Sequence, residues 1–195
     1  MKYLSVIRVF VSLTLDGVMQ GPARPDEDTR GGFTRGGWAA PYAAMPSAGE
    51  AMANCGGLLL GQWTYENFYR AWHVRRGEFS SFMDNIQKFV VSKTLKEPLP
   101  WANSTLINGN VVDALVKLKK EQKKDLVIMG SGELIQSLMK HNLVDEYVLL
   151  IHPLILGSGK QLFVDGGAYA ALELVSSRTN DKGVIIATYH PHDTV

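Results

Sequence analysis

Three stretches of this chain end an apolar run on the same chemical kit: "LLLGQWT", "FVVSKTL" and "VIMGSGEL". Each run reads as a buried strand. The first junction then offers Gly61, Gln62 and Thr64, and the second Ser92, Lys93 and Thr94. The third offers Gly130, Ser131, Gly132, Glu133 and Leu134. A helix starting just after a strand presents N–H groups with no intrahelical acceptor, and its dipole favours negative charge there. One such junction is ordinary in any α/β protein. Three at one sheet edge suit a phosphorylated nucleotide, because ligands of open parallel sheets bind beyond the carboxyl ends of the strands. The third stretch departs from the dinucleotide fingerprint G-x-G-x-x-G: Ile135 stands where the third glycine belongs, late in the chain.

The elements that must position these groups follow from periodicity. "VIRVFVSLTLDG" (6–17) is β-branched and apolar and ends on an Asp-Gly turn signal, so a strand is expected. Residues 18–41 are rich in Gly, Pro and charge and read as a long loop, a length usually tied to function. Residues 42–54 have helical composition. Further strands are expected at 57–60, 86–95, in "STLIN" and in "KDLVIM". Helices are expected from Gln62, after the Gly130–Gly132 turn, and over "VVDALVKLKKEQ". Asn110 caps the last of these, with Val111, Leu115 and Leu118 on one face. "VDEYVLLIHPLILGSGKQLF" reads as a long apolar strand with a glycine-rich turn, and "GVIIATYH" as a closing strand. Helices alternate with strands until consecutive strands end the chain. That predicts an α/β fold with a mostly parallel sheet, helices on both faces and an antiparallel C-terminal edge.

Composition narrows the function. The 195 residues are 46% hydrophobic and 20% charged, as in a soluble globular protein, and suit a single domain over 1–195. A formal net charge of +1 argues against a broad nucleic-acid surface. One cysteine, Cys55, permits no internal disulfide and no C-x-x-C zinc site. No apolar run approaches the ~20 residues of a membrane span. The N-terminus reads as a first strand rather than a signal peptide, so a cytoplasmic protein is expected. His73, His141, His190 and His192 show no metal-ligand spacing, and no metal is expected. Trp38 in "RGGW" either stacks on a flat ring or anchors its loop. His152, inside an apolar run, reads as a hydrogen-bonded core histidine rather than an acid, and Glu50 as a solvated helix-face residue. Lys160 is a minor candidate for an anion ligand.

Taken in order, "SLTLDGVMQG", "GQWTYENF", "FVVSKTL", "DLVIMGSGEL" and "LVDEYVLLIHPLILGSGKQLF" resemble the dihydrofolate-reductase-like superfamily. The branch is the one related to the C-terminal reductase domain of the bifunctional riboflavin-biosynthesis deaminase-reductase. The resemblance runs from about Val6 to Phe163. It implies a three-layer sandwich and NADPH as hydride donor. It implies that Gly61, Thr64, Ser92, Lys93 and Thr94 hold the adenosine phosphates, and that residues 130–134 hold the pyrophosphate. Asp16 and Gly17 would lie beside the nicotinamide, with Asp16 or water as proton donor and the loop as a lid. Gly17 and Trp38 are then the substrate-side candidates. Two positions depart from the family pattern. Gln62 replaces an arginine for the cofactor's 2′-phosphate, and Val18 replaces a basic residue after the first turn. The zinc deaminase half needs cysteines this chain lacks. The expected activity is NADPH-dependent hydride transfer to a small heterocyclic or carbonyl substrate. It is related to that of 5-amino-6-(5-phosphoribosylamino)uracil reductase, and the alternative is a nucleotide-binding module without turnover. A homodimer is expected by analogy alone.

Overall fold

The computed structural model describes residues 5–42 and 52–192. Glu50 and most of the helix expected over 42–54 lie outside those residues. Among the described residues the chain forms β1 (Ile7–Thr14), β2 (Cys55–Gly61), α1 (Gln62–Trp72), α2 (Glu78–Asn85), β3 (Gln87–Val91) and β4 (Ser104–Ile107). There follow α3 (Val111–Glu121), β5 (Asp125–Met129), α4 (Gly132–Met139), β6 (Glu146–His152), β7 (Ala171–Thr179) and β8 (Ile185–His192).

The strands make one sheet in the order β4-β3-β2-β5-β1-β6-β8-β7. All pairs from β4 to β6 are parallel, and β8 pairs antiparallel with both β6 and β7. Parallel strands covered on both faces read as unbroken apolar runs, which is why the sequence shows them so plainly. Alternation along β1 sends Ile7, Val9, Val11 and Leu13 to the face covered by α3 and α4, with Leu115, Ile135 and Leu138. Phe10 goes to the other face, with Leu58, Leu60, Tyr65 of α1 and Met83 of α2. The three-layer α/β sandwich of the dihydrofolate-reductase-like fold is thereby built.

Three elements differ from expectation. The long strand stops at His152, because Pro153 has no N–H to extend the ladder. Helix α2 and strand β7 carry no strong sequence signal. The first is eight residues long, and the second exposes nearly all its side chains, including Leu174 and Val175.

Polar anchors secure the amino ends of the strands, opposite the three junctions. Lys119 Nζ donates to both carboxylate oxygens of Asp145 at 2.7 and 2.6 Å. Asp145 Oδ2 accepts from Ile7 N at 2.8 Å, and Asp145 N donates back to Ile7 O at 3.0 Å. Arg8 pairs with Asp125 and Glu146 on the flanking strands. Lys88, fully buried in β3, donates to the carbonyls of Asp84, Ile86 and Ala102 at 3.2, 2.7 and 3.0 Å and lies 4.6 Å from the centre of the Trp101 ring. Burial lowers its pKa to about 8, with Asp84 opposing the shift, so it remains protonated at neutral pH. All three ammonium hydrogens are used. Lys88→Met is expected to lower the unfolding free energy by about 2 kcal/mol in urea titrations, with an unchanged circular-dichroism spectrum.

Candidate functional site

The parallel pairing brings the carboxyl ends of β1, β2, β3, β5 and β6 to one edge, and the three junctions meet there through side-chain hydrogen bonds. Gly61 N, at the start of α1, donates to Ser131 Oγ at 3.0 Å. Ser131 N donates in return to Thr64 Oγ1, also at 3.0 Å. On the other side Gln62 Oε1 accepts from Ser92 Oγ at 2.6 Å and Thr94 Oγ1 at 2.7 Å. Its Nε2 donates to Glu66 Oε1 at 3.0 Å. Ser92 Oγ itself accepts from the N–H groups of Thr94 and Leu95, which shapes the turn after β3. Lys93 stands exposed on that turn.

The backbone here is shaped for close approach. Gly130 and Ser131 are both left-handed, with φ of +63° and +56°. A Cβ on Gly130 would come within 3.2 Å of Thr64 Cγ2. Ser131 is held in this uncommon conformation by its bonds to Gly61 and Thr64. Neither α1 nor α4 has a side-chain N-cap, whereas Asn110 caps α3 by accepting from Asp113 N. Two uncapped helix starts therefore sit side by side, with Thr64, Ser92 and Thr94 hydroxyls around them. That is the chemistry an anionic ligand needs.

The structure also explains Gln62. Its carbonyl oxygen serves two hydroxyl donors, a task an arginine cannot perform because it has no acceptor.

The loop over 18–41 lies against this edge. Val18, Phe33 and Trp38 form a small buried cluster with Leu154 and Leu156 beside it. Val18 is thus a packing residue, which accounts for an apolar side chain where a basic one was expected. Trp38 is buried, and its indole N–H donates to Gln20 O at 2.7 Å. The structure places Trp38 as an anchor of its own loop. Gly159 closes the cluster: with φ of +118°, its Cβ would lie 2.7 Å from Val18 Cγ1 and 2.8 Å from Phe33 Cε2. Two contacts reach from the loop to the junctions. Met19 Sδ lies 2.6 Å from where a Gly132 Cβ would be, over the start of α4. The Arg30 guanidinium sits 4.1 Å from the centre of the Trp63 ring on the first turn of α1. Arg30 also grips Asp28 with its Nε and Nη2 at 2.8 and 2.6 Å. Burial pushes the Asp28 carboxyl up, but the bonds from Arg30 and Gln20 outweigh it and hold the carboxyl below its ordinary range. Lys160 pairs with Glu133 at 3.1 Å in solvent, a contact of small energetic weight.

Asp16 and Gly17 form the turn after β1. Asp16 accepts from Thr14 Oγ1, from Leu156 N at 3.2 Å and from Gly157 N at 2.7 Å. The Thr14 hydroxyl is the main cause that holds its pKa below the usual carboxylate value. A carboxylate in this state accepts hydrogen bonds and offers no proton near neutral pH. Gly17, with φ of +78°, donates to Thr14 O and accepts from Leu162 N. Together these bonds dock the segment after β6 onto the first turn.

His152 ends β6 in register with Thr14, the last residue of β1. It is completely buried. Its Nδ1 lies 2.9 Å from Leu150 O and 3.3 Å from Leu13 O. Burial lowers its pKa, and the two carbonyls oppose that shift without cancelling it. Sequence reading took His152 for a satisfied core histidine, and its Nδ1 fits that reading. Its Nε2 has no hydrogen-bond partner among the described residues. Cys55 is inert, since burial raises its thiol pKa to about 11. Among the described residues no His, Cys, Asp and Glu group could hold a metal ion, and no helix is long and apolar enough to cross a membrane.

Comparison with known proteins adds to this geometry. The family model for the RibD C-terminal domain matches residues 5–186. The chain is 39% identical over 104 residues to the uncharacterized protein YyaP of Bacillus subtilis (strain 168), covering 53% of this chain and 54% of that protein. Its match to YwjB of the same organism is 36% identical over 59 residues and covers 34% of that protein. The matched regions thus span about half and a third of these two relatives. A Shewanella sp. PV-4 protein named for riboflavin biosynthesis superposes with a TM-score of 0.74 at 24% identity, covering 96% of this chain and 99% of the other. Dihydrofolate reductase of Enterococcus faecalis, complexed with NADP(H) and RAB-propyl, superposes with a TM-score of 0.62 at 13% identity, covering 99% and 100%. At these identities the superpositions establish the fold.

The state of His152 sets the sign of an acid effect. Its folded pKa lies below the ordinary value of 6.5, so below about pH 6.5 the unfolded chain binds a proton that the native one refuses. Stability from neutral His152 is full above that pH and is lost as pH falls. The thermal midpoint is expected to drop between pH 7 and 5, and His152→Gln to flatten that drop in paired melts.

Proposed function

Because the chain belongs to the RibD C-terminal domain family, we propose that it is an NADPH-dependent reductase acting on a small heterocyclic or carbonyl substrate. The observation that carries this reading is the joining of three strand-end junctions by Gln62, Thr64 and Ser131 into one edge with two uncapped helix starts. NADPH, when bound, supplies the hydride. The residues present fit it. The first-turn amides of α1 and α4 and the Thr64 hydroxyl, which is an acceptor in its bond to Ser131 N and keeps its hydrogen, would bind its phosphates. Lys93 would add a cation, and Ser92 and Thr94, whose hydrogens go to Gln62 Oε1, would hold Gln62 in place. The left-handed Gly130–Ser131 turn lets the backbone approach the pyrophosphate closely. The loop over 18–41, pinned by Val18, Phe33 and Trp38, covers the reacting centre and limits its access to bulk water. Asp16 holds the first turn against Leu156 and Gly157, so in this reading the proton comes from water.

Titration with NADPH, read by nucleotide fluorescence, followed by a screen of heterocyclic and carbonyl substrates for loss of reduced-nicotinamide absorbance, tests the proposal. Turnover is expected. Binding without turnover across a broad panel would favour a nucleotide-binding module, and absence of binding to both reduced nicotinamides would overturn both readings.

Gln62 gives a sharper measurement. Gln62→Arg is expected to raise the preference for NADPH over NADH about 5- to 10-fold, because a charge-assisted bond to the 2′-phosphate is stronger than a neutral one. The same change removes the acceptor for Ser92 and Thr94, so stability should fall by about 1 kcal/mol. A stability loss with unchanged cofactor preference would show that residue 62 does not face the 2′-phosphate.

A further inference from the structure

Arg30 is fixed by its surroundings yet keeps part of its guanidinium unused. Its Nε and one Nη2 hydrogen go to the Asp28 carboxylate at 2.8 and 2.6 Å. Its backbone N–H donates to Asp28 Oδ1 at 3.1 Å, and its carbonyl accepts from Gln20 Nε2 at 2.9 Å. The guanidinium lies over the Trp63 ring, 4.1 Å from its centre. A guanidinium carries five N–H donors in one plane. Asp28 takes the side formed by Nε and Nη2, and the ring takes a face. The end formed by Nη1 and the second Nη2 hydrogen has no acceptor among the described residues. The side chain stays 36% exposed.

The place of that free end matters. Trp63 is on the first turn of α1, next to Gln62. Glu133 is on the first turn of α4. The Asp28 bonds are the main cause that holds Arg30 above its ordinary pKa; burial opposes them, and the charges of Asp28 and Glu133 add to them. Arg30 therefore stands beside both uncapped helix starts. Those starts are joined by the bonds among Gly61, Thr64 and Ser131, on the β5 flank of β2. Ser92, Lys93 and Thr94 lie on the β3 flank, beyond Gln62. An anion between the helix starts meets no cation within the junctions on its own flank. Gln62 is neutral, Glu133 is of like charge, and Lys160 is drawn to Glu133. The loop supplies the missing charge in Arg30.

We propose that Arg30 is a cofactor-binding residue, whose free Nη1–Nη2 end takes the pyrophosphate of a reduced nicotinamide dinucleotide between the starts of α1 and α4. The inference rests on the reductase reading of this edge and adds a ligand from outside the three junctions. The fork geometry suits two phosphate oxygens at once, which the ammonium of a lysine does not match. Asp28 and Trp63 set the plane of the guanidinium before the ligand arrives, so little side-chain freedom is lost on binding. NADPH and NADH carry the same pyrophosphate. Arg30 therefore strengthens both alike and leaves the choice between them to the Gln62 flank. Because Arg30 is tied to Asp28 and Gln20, the bound dinucleotide also fastens this part of the loop to the sheet edge.

The test measures affinities for NADPH, NADH and adenosine 2′-phosphate, which has no pyrophosphate. It compares wild type, Arg30→Lys, Arg30→Met, and Arg30→Met combined with Asp28→Asn. The combined variant removes the carboxylate that Arg30→Met leaves unpaired. Arg30→Met is expected to weaken NADPH and NADH by the same factor, about 10-fold, and to leave adenosine 2′-phosphate unchanged. Arg30→Lys should retain part of the affinity, and the combined variant should show the full loss. In ¹⁵N-arginine-labelled wild type, the Arg30 Nε resonance, assigned by its absence in Arg30→Lys, should shift on adding ADP-ribose, which carries the pyrophosphate. It should stay in place with adenosine 2′-phosphate. This readout survives if Arg30→Met does not fold. Unchanged dinucleotide affinity in Arg30→Met, a loss confined to NADPH, affinity regained in the combined variant, or no shift with ADP-ribose overturns the proposal. Any of these with wild-type NADPH binding intact removes the role of Arg30 and leaves the reductase reading standing. Wild type that binds neither reduced nicotinamide removes that reading instead.

Discussion

The carboxyl edge of this sheet depends on a reciprocal pair of hydrogen bonds between two helix starts. Gly61 N reaches Ser131 Oγ, and Ser131 N reaches Thr64 Oγ1. Each bond satisfies a main-chain donor that a helix start would otherwise leave to solvent. The pair also holds Ser131 in a left-handed conformation and brings Gly130 against Thr64. Without that seam the ends of β2 and β5 would be two unrelated turns. With it, α1 and α4 present their positive ends to the same volume, and Gln62 extends the arrangement to the turn after β3.

The loop over 18–41 is the second partner of that edge, and it is built to a different standard. Its apolar anchors are few, and polar ties supplement them. Gln20 alone donates to the carbonyls of Asp28 and Arg30 and accepts from Lys160 N. Such a segment is specific in its contacts yet light in buried area, as surface loops commonly are. His152 marks where the cover meets the sheet.

Much of the fold was legible because parallel strands buried on both faces cannot be written in polar residues. The runs around Leu59, Val90 and Ile128 announced themselves, as did their junctions and the Asn110 cap. Helix α2 was not legible, because eight residues with Ser80 and Ser81 in their middle make a weak pattern. Strand β7 escaped for the opposite reason: an exposed edge strand needs no apolar alternation. The end of β6 was misplaced because hydrophobicity continues past Pro153 while hydrogen bonding does not.

For the site, the chain by itself determined which residue types stand at each strand end, since glycine conformations, helix starts and hydroxyls are local properties. Only the tertiary structure decided what those residues do. Gln62 looked like a missing charge until Ser92 and Thr94, some 30 positions away, were seen to donate to it. Asp16 looked like an acid until amides about 140 positions away were found on its oxygens. Trp38 and His152 were separate entries in a long loop and an apolar run until folding set their rings edge to face. A side chain's ionisation and free lone pairs depend on the groups within a few ångströms, and in a sheet whose strands cross over out of order those groups are remote in sequence.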